Sequence, residues 1–330
     1  MKPALLVSVL IAGLTGLSGC HQNQGDDMNK TVAATEANLA FTCVHEADHL
    51  PALDPQADKW FKQARAMQKA PGAKDYNAIA NLYRQAAEKD HYKAMINLQN
   101  MLYQRLAEPV DGKTRPEEVI AIAEKMMQLN IPAGYYAMGH YLETGYGVKR
   151  DKTAALTYFR KAADMGNPEG QYVIGELLLT GRFEDTSNPD PYVVHFKPNP
   201  AYRPEIAKVM LACAANQGHG EAAGWLAGWY KLIQKDYKNA IVYYQLGVKA
   251  GHKISAMQMA GAFNGPSPDN RGDYLALDKD SERSRRYDLI YKEIRSNPSA
   301  RFPDIDKIVP LPPAELPEWD GTFEYKKAQR

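Results

Sequence analysis

Near its start the chain carries HEADH, residues His45 to His49, with Glu46 directly after the first histidine. On an α-helix this spacing puts two imidazoles one turn apart as zinc ligands, with the glutamate placed to activate a water for hydrolysis. The surroundings argue against that chemistry. Leu50 precedes Pro51, whose ring disfavours the helical region for the residue before it, so little helix could follow the motif. Asp48 would add a further carboxylate to the metal helix, and none of the eight histidines offers a GxxH-type third ligand. The match reads as accidental, and a zinc metalloprotease is only a minor alternative. His219 and His252 fall at the same position of a repeat described below, which explains them more simply than a ligand pair does. There is no GxSxG elbow, Walker loop or dinucleotide fingerprint. The expectation is a chain that is not an enzyme, with no catalytic residues, no metal ligands and no cofactor.

The three cysteines carry the remaining chemistry. The chain opens MKPALLVSVLIAGLTGLSGC: Lys2, then an apolar run from Ala4 to about Leu14, then small residues, the layout of a secretory signal peptide over residues 1–19. It is too short to be a comfortable membrane span. LSGC, Leu17 to Cys20, resembles the lipobox of bacterial lipoproteins. That resemblance implies cleavage before Cys20 and acylation of its thiol by chains such as palmitate, each buried methylene adding about 0.8 kcal/mol of anchoring. It also implies the outer membrane, periplasmic face, because His21 stands where an aspartate would retain the protein in the inner membrane. Residues 20–40 are polar and poor in large apolar groups, which suits a flexible tether. Cys43 and Cys213 are then left in an oxidising compartment, where a disulfide is the economical reading. An unpaired arrangement stays open, since bonding needs Cα atoms within about 7 Å and spacing alone does not show that.

The net charge of +1, with 45% hydrophobic and 24% charged residues, is ordinary for a globular protein. Such a balance leaves no electrostatic footprint for nucleic acid, and no long block of like charge points to a polyanionic partner.

What positions these residues is a repeat. Segments from Leu82, Ala123, Phe159, Leu211 and Tyr244 align on a turn occupied by Asp90, Asn130, Gly166, Gly218 and Gly251, spaced 40, 36, 52 and 33 residues apart. Four residues beyond each turn stands a small side chain: Ala94, Gly134, Gly170, Ala222 or Ser255. Each unit reads as helix, tight turn, helix. The turn residue takes the left-handed conformation, the small residue lets the two helices cross closely, and apolar residues such as Ile174, Leu177 and Leu178 face the neighbouring pair.

Tyr135 to Gly175 resembles the SEL-one-like repeat (SLR) family, close cousins of tetratricopeptide repeats. It shares an apolar-Gly helix, the loop Glu143-Thr144-Gly145-Tyr146-Gly147-Val148, and an aromatic-Arg-Lys-Ala-Ala helix ending at Gly166. Met126-Met127 replaces the usual alanine pair in the second unit, so its packing should be bulkier. The resemblance implies an all-α fold, a right-handed α/α solenoid of about five helix-turn-helix repeats over residues 75–265, with an insertion at 181–204. Residues 41–74 read as an N-terminal helical cap with a helix near Pro55 to Met67. Residues 266–330 read as one helix and a proline-rich tail whose Ile308, Leu311, Leu316 and Trp319 suit a tail lying extended over the solenoid.

A solenoid of this kind presents rows of side chains suited to binding another protein. Candidate anchors are Trp225 and Trp229, four apart on one helix, although positions in the core or beneath the tail are the slightly favoured reading for both. Tyr135, Tyr136 and Tyr141 form a second aromatic group. The insertion offers Tyr192 and Phe196, within a run apolar enough to be expected to pack. Lipoproteins with such repeats resemble, at family level, immunity proteins that neutralise secreted antibacterial toxins, lipase-type effectors among them. The resemblance therefore implies a protein partner, toxin or envelope protein, and a membrane contact through the N-terminal lipid. A scaffold for envelope assembly or secretion is the alternative.

Overall fold

The computed structural model describes residues 40–184 and 196–324. The expected signal peptide, Cys20, nearly all of the tether and Tyr192 lie outside these. The fold is an α-helical solenoid. A capping helix α1 (Pro55–Lys69) precedes five antiparallel pairs: α2 (Tyr76–Glu88) with α3 (Tyr92–Tyr103), α4 (Arg115–Gln128) with α5 (Pro132–Thr144), α6 (Lys152–Asp164) with α7 (Pro168–Leu179), α8 (Pro204–Asn216) with α9 (Gly220–Trp229), and α10 (Tyr237–Lys249) with α11 (Lys253–Ala262). Helix α12 (Ser281–Ser296) packs on α11, and a short α13 (Ile305–Ile308) lies in the tail. No helix among the described residues is long and apolar enough to cross a membrane.

The turn within each pair follows one rule. Asp90, Asn130, Gly166, Gly218 and Gly251 all have positive φ, between 56° and 92°, the conformation that closes a helix C-terminus. At four of the five junctions the next residue is a polar side chain positioned to start the second helix. The Nδ1 atoms of His91 and His219 and the Oδ1 of Asn167 accept from the backbone N–H three residues on, at 3.2, 3.1 and 2.9 Å. His252 instead pairs with the hydroxyl of Ser255 at 2.8 Å. Repeat histidines are thus helix-start residues. The small residues behave as crossing points: Ala94, Ala222 and Ser255 are fully buried, and a Cβ on Gly134 would lie 2.6 Å from Met126 Cβ. Ile174 and Leu178 are buried while Leu177 is only half-buried.

The ends are closed differently. At the N-terminus α1 lays Ala57, Ala64, Trp60 and Phe61 against Ile79 and Tyr83 of α2. Ahead of α1, residues 40–54 form a strap across the row of turns. Val44 O accepts from Gln171 Nε2 at 2.9 Å, the Glu46 amide donates to Gln217 at 2.8 Å, and Leu50 and Leu53 reach the cluster of Tyr92, Met95, Met126 and Ile131. Gly166 fits beneath the strap because it has no side chain: a Cβ there would stand 2.5 Å from His45 C. The disulfide Cys43–Cys213, with Cα atoms 5.7 Å apart, fastens the strap to α8 across 170 residues of sequence.

At the other end the tail folds back over the last helices. Phe302, Ile305, Ile308, Val309 and Phe323 join Tyr244, Tyr287 and Ile290 in one core. Arg286 donates to Ile308 O and Pro317 O at 2.6 and 2.9 Å, so an arginine's fixed fork holds an irregular backbone that makes no ladder of its own. Between the third and fourth pairs, β1 (Arg182–Glu184) and β2 (Phe196–Pro198) form a two-stranded antiparallel hairpin. Phe196 was expected to pack and does not: it is 62% exposed, because β2 stands at the hairpin rather than against a helix.

Candidate functional site

HEADH does not form a metal-binding helix. Glu46–His49 is a single 3-10 turn with extended residues on both sides, so the α-helix a zincin needs is not formed. The Glu46 carboxylate accepts from Asn167 Nδ2 at 2.9 Å. Among the described residues the His/Cys/Asp/Glu group gathered closely enough to hold a metal is Cys43, His45 and Cys213. Both sulfurs are committed to the disulfide, which leaves one imidazole. These donors do not fit a zinc site.

Two of the hollows along the row of second helices, α3, α5, α7, α9 and α11, differ in character. The larger is a groove of about 670 Å³ lined by α9, α11 and the turn between the fourth and fifth pairs. Trp225 stands in it 42% exposed, beside Ile254 and the neighbours Leu232 and Ile233, which are 60% and 62% exposed. The last two are presented by a π-helical turn, Tyr230–Gln234, ending at Lys235 with φ 54°; such widened turns redirect side chains that an α-helix would keep in register. The groove's floor is glycine. Gly224 sits against the His252 ring, and a Cβ on Gly228 would meet nothing within 4 Å. One buried cation flanks it: Lys231, whose ammonium donates to Gln258 Oε1 at 2.5 Å and to Gly272 O, and which burial pushes below the usual lysine range.

The two tryptophans therefore part company. Both line the groove, but Trp225 stands open in it whereas Trp229 is 8% exposed, edge-on to Tyr230 with Lys208 Nζ 5.2 Å above its ring. Its four-residue spacing from Trp225 puts it over the same turn, but α8 covers it, and the reading of Trp229 as an exposed anchor is corrected to a core position. Its buried indole N–H has no partner among the described residues.

The smaller hollow, about 350 Å³, lies between α3, α5, the start of α7 and the strap. Tyr103, Tyr136 and Tyr141 line it, with Tyr103 and Tyr146 rings 4.9 Å apart and His140 Nε2 3.3 Å from the Tyr103 hydroxyl. Glu46 and Glu169 enter the same space, and burial pushes both carboxyls above the ordinary range, opposed at Glu46 by hydrogen bonds from Asn167 and Ala133. Tyr135 points elsewhere, toward Tyr158 and Lys161 of α6. Sequence reasoning missed Leu232, Ile233, Ile254 and Glu169. The legible signal was a Leu-Ile pair inside the polar linker KLIQKD, where no repeat position buries it.

Known proteins share this architecture. The Sel1 repeat family matches residues 132–167 and 222–252, and a domain of unknown function (DUF6396) matches residues 255–330. No curated protein matches the chain. Among solved structures, the Pseudomonas aeruginosa immunity protein PA5088 is 32% identical with a TM-score of 0.64, covering 83% of this chain and 94% of that one. The P. aeruginosa immunity protein Pa5087 is 32% identical with a TM-score of 0.61, covering 83% and 95%. Pseudomonas aeruginosa 5086 (PA5086) is 30% identical with a TM-score of 0.60, at the same coverage. At that identity over nearly the whole of each relative, this chain belongs to the Sel1-repeat family that includes the P. aeruginosa immunity proteins PA5088 and Pa5087.

Proposed function

We propose that this protein is an immunity protein: a periplasmic lipoprotein, held on the outer membrane by acyl chains on Cys20, that binds an antibacterial toxin of lipase type and occludes its active site. The observation that carries the reading is the groove around Trp225. An exposed indole, three exposed aliphatic side chains and a glycine floor form one apolar surface on a body related to solved immunity proteins. Rigid aromatic anchors seated in such surfaces dominate protein-protein affinity, and patches of this kind mark interaction sites. A stoichiometric binder needs no catalytic group, and the Sel1-repeat relatives point the same way.

The test is genetic and then physical. Deleting the gene in its own organism should cause self-intoxication that depends on an effector gene beside it, and the purified protein should form a complex with that effector. A neighbourhood without an effector, together with a deletion that perturbs envelope assembly and no toxicity, would replace the immunity reading with the scaffold reading. Removing Cys20 by Cys20→Ser should release the protein from the membrane fraction; retention there would reject the anchor.

A further inference from the structure

Glu46, the glutamate of HEADH, is not used by the groove, and neither is the hollow it enters. That hollow holds two carboxylates, Glu46 and Glu169, and no lysine or arginine lines it. Among the described residues neither carboxylate has an ion-pair partner within the usual 4 Å. The strap's Glu46 is met by the Asn167 amide and the Ala133 backbone, both neutral donors. The base whose charge acts on Glu169 is His219, which burial holds toward its neutral form. An independent observation comes from the opposite wall. Tyr141 is 4% exposed and lines the hollow, yet its hydroxyl has no hydrogen-bond partner among the described residues. Tyr103 and Tyr136 complete an aromatic wall.

The chemistry of these groups selects among ligands. An anion would meet two carboxylates, with the His140 imidazole, already beside the Tyr103 hydroxyl, the one basic side chain on the wall. A neutral sugar could use the hydroxyls and amides but would leave both charges uncompensated, which is costly away from water. A bare metal ion would fill little of about 350 Å³ and make no use of the rings. A planar organic cation satisfies all of them at once: a guanidinium donates to carboxylates through its fork, stacks on tyrosine faces and can donate to a phenol oxygen. We propose that this hollow receives an arginine side chain of the partner protein. The assignment to a partner's side chain rests on the protein-binding reading above, while the cation preference rests on the hollow alone.

The test uses the full chain in detergent and a defined probe, Nα-acetyl-arginine amide, followed by NMR of the tyrosine rings. The uncharged isostere Nα-acetyl-citrulline amide and the free polycation spermidine serve as comparisons. Saturable shifts at Tyr103, Tyr136 and Tyr141 are expected with the arginine probe and not with the citrulline one. Glu169→Gln should weaken the probe about tenfold or more, and Tyr141→Phe by less, with unchanged helical circular dichroism in both. Equal response to citrulline, indifference to Glu169→Gln, or shifts confined to other tyrosines would overturn the proposal. Spermidine displacing the arginine probe at far lower concentration would also overturn it, assigning the hollow to a free polyamine. No toxin enters this experiment, so its failure leaves the immunity reading intact, and a failed protection assay with normal arginine binding breaks only the latter.

Discussion

The two hollows on the second-helix face are made from the same repeat by different means. At α9 and α11 the repeat runs into a π-helical turn, glycine lines the floor, and the result is open and mostly apolar, with Arg271 and Gly272 of the segment after α11 at its edge and no part taken by the strap. At α3, α5 and α7 the helices are regular, but the strap crosses them and supplies Glu46, so the hollow is polar and half of its charge is carried by a segment distant in sequence. Opening a surface from within a repeat leaves it robust. Building one from a strap makes it depend on whatever fastens the strap.

That difference can be broken at the fastener. Replacing both cysteines, Cys43→Ser with Cys213→Ser, should lower unfolding free energy by up to about 5 kcal/mol on the chain-entropy argument for so long a loop, measured as the shift in a denaturant midpoint. The smaller hollow should lose its arginine-probe response in that variant, while the Trp225 groove keeps its partner. Loss of both together would mean the strap supports the whole solenoid. A comparable effect is expected at Trp229→Ala, about 3–5 kcal/mol for an emptied core site, whereas Trp225→Ala should leave the midpoint nearly unchanged. The two circular-dichroism melts side by side check whether the tryptophans differ as their exposure indicates.

Binding should show the reverse pattern. Trp225→Ala is expected to weaken the partner complex by about 2 kcal/mol or more, roughly thirtyfold in Kd, with titration calorimetry as the readout. Gly228→Leu sharpens this, because the added side chain begins in open space and fills the groove without a clash at Cβ. Complex formation should fall, while stability holds or rises slightly as a helical glycine is removed. Strong destabilisation instead would show that the groove closes in solution.

Much of this was legible beforehand for a physical reason. Turns that need a positive φ leave a mark in sequence, so Asp90, Asn130, Gly166, Gly218 and Gly251 could be aligned without any structure, and each has that conformation. Apolar residues among the tail's prolines pointed to a packed tail, and Ile308 and Val309 are buried beneath the carbonyl contacts of Arg283 and Arg286. The strap's path was not legible. Residues 40–54 have no periodicity, and several of their hydrogen bonds to the repeats go through backbone atoms, Val44 O and the Glu46 amide among them, which any sequence carries. The tryptophan pair stayed ambiguous because helical spacing gives a face but not what covers it; Lys208 on α8 lies over Trp229, whereas Trp225 is left 42% exposed.

The smallest expected effect lies far from both hollows. Glu282 bridges Arg285 and Arg286, and their guanidinium groups hold its carboxyl down to about 2. A depressed carboxylate contributes stability above its unfolded value and loses it as pH falls toward the folded one. Arg286 is buried, but Glu282 and Arg285 stand 40% and 54% open to solvent, and screening there holds the contribution to about 1 kcal/mol or less. Between the ordinary carboxylate range and about pH 2, Glu282→Gln should show a slightly flatter loss of stability than the wild type in denaturant titrations.

The most direct test of the toxin-binding proposal is protection. Cells exposed to the effector encoded beside this gene would carry the wild-type chain or Trp225→Ala, with protein levels matched by immunoblot. The wild type should restore growth and Trp225→Ala should not. Equal protection by both, or none from the wild type, would contradict the proposal that the groove around Trp225 is where the toxin is held.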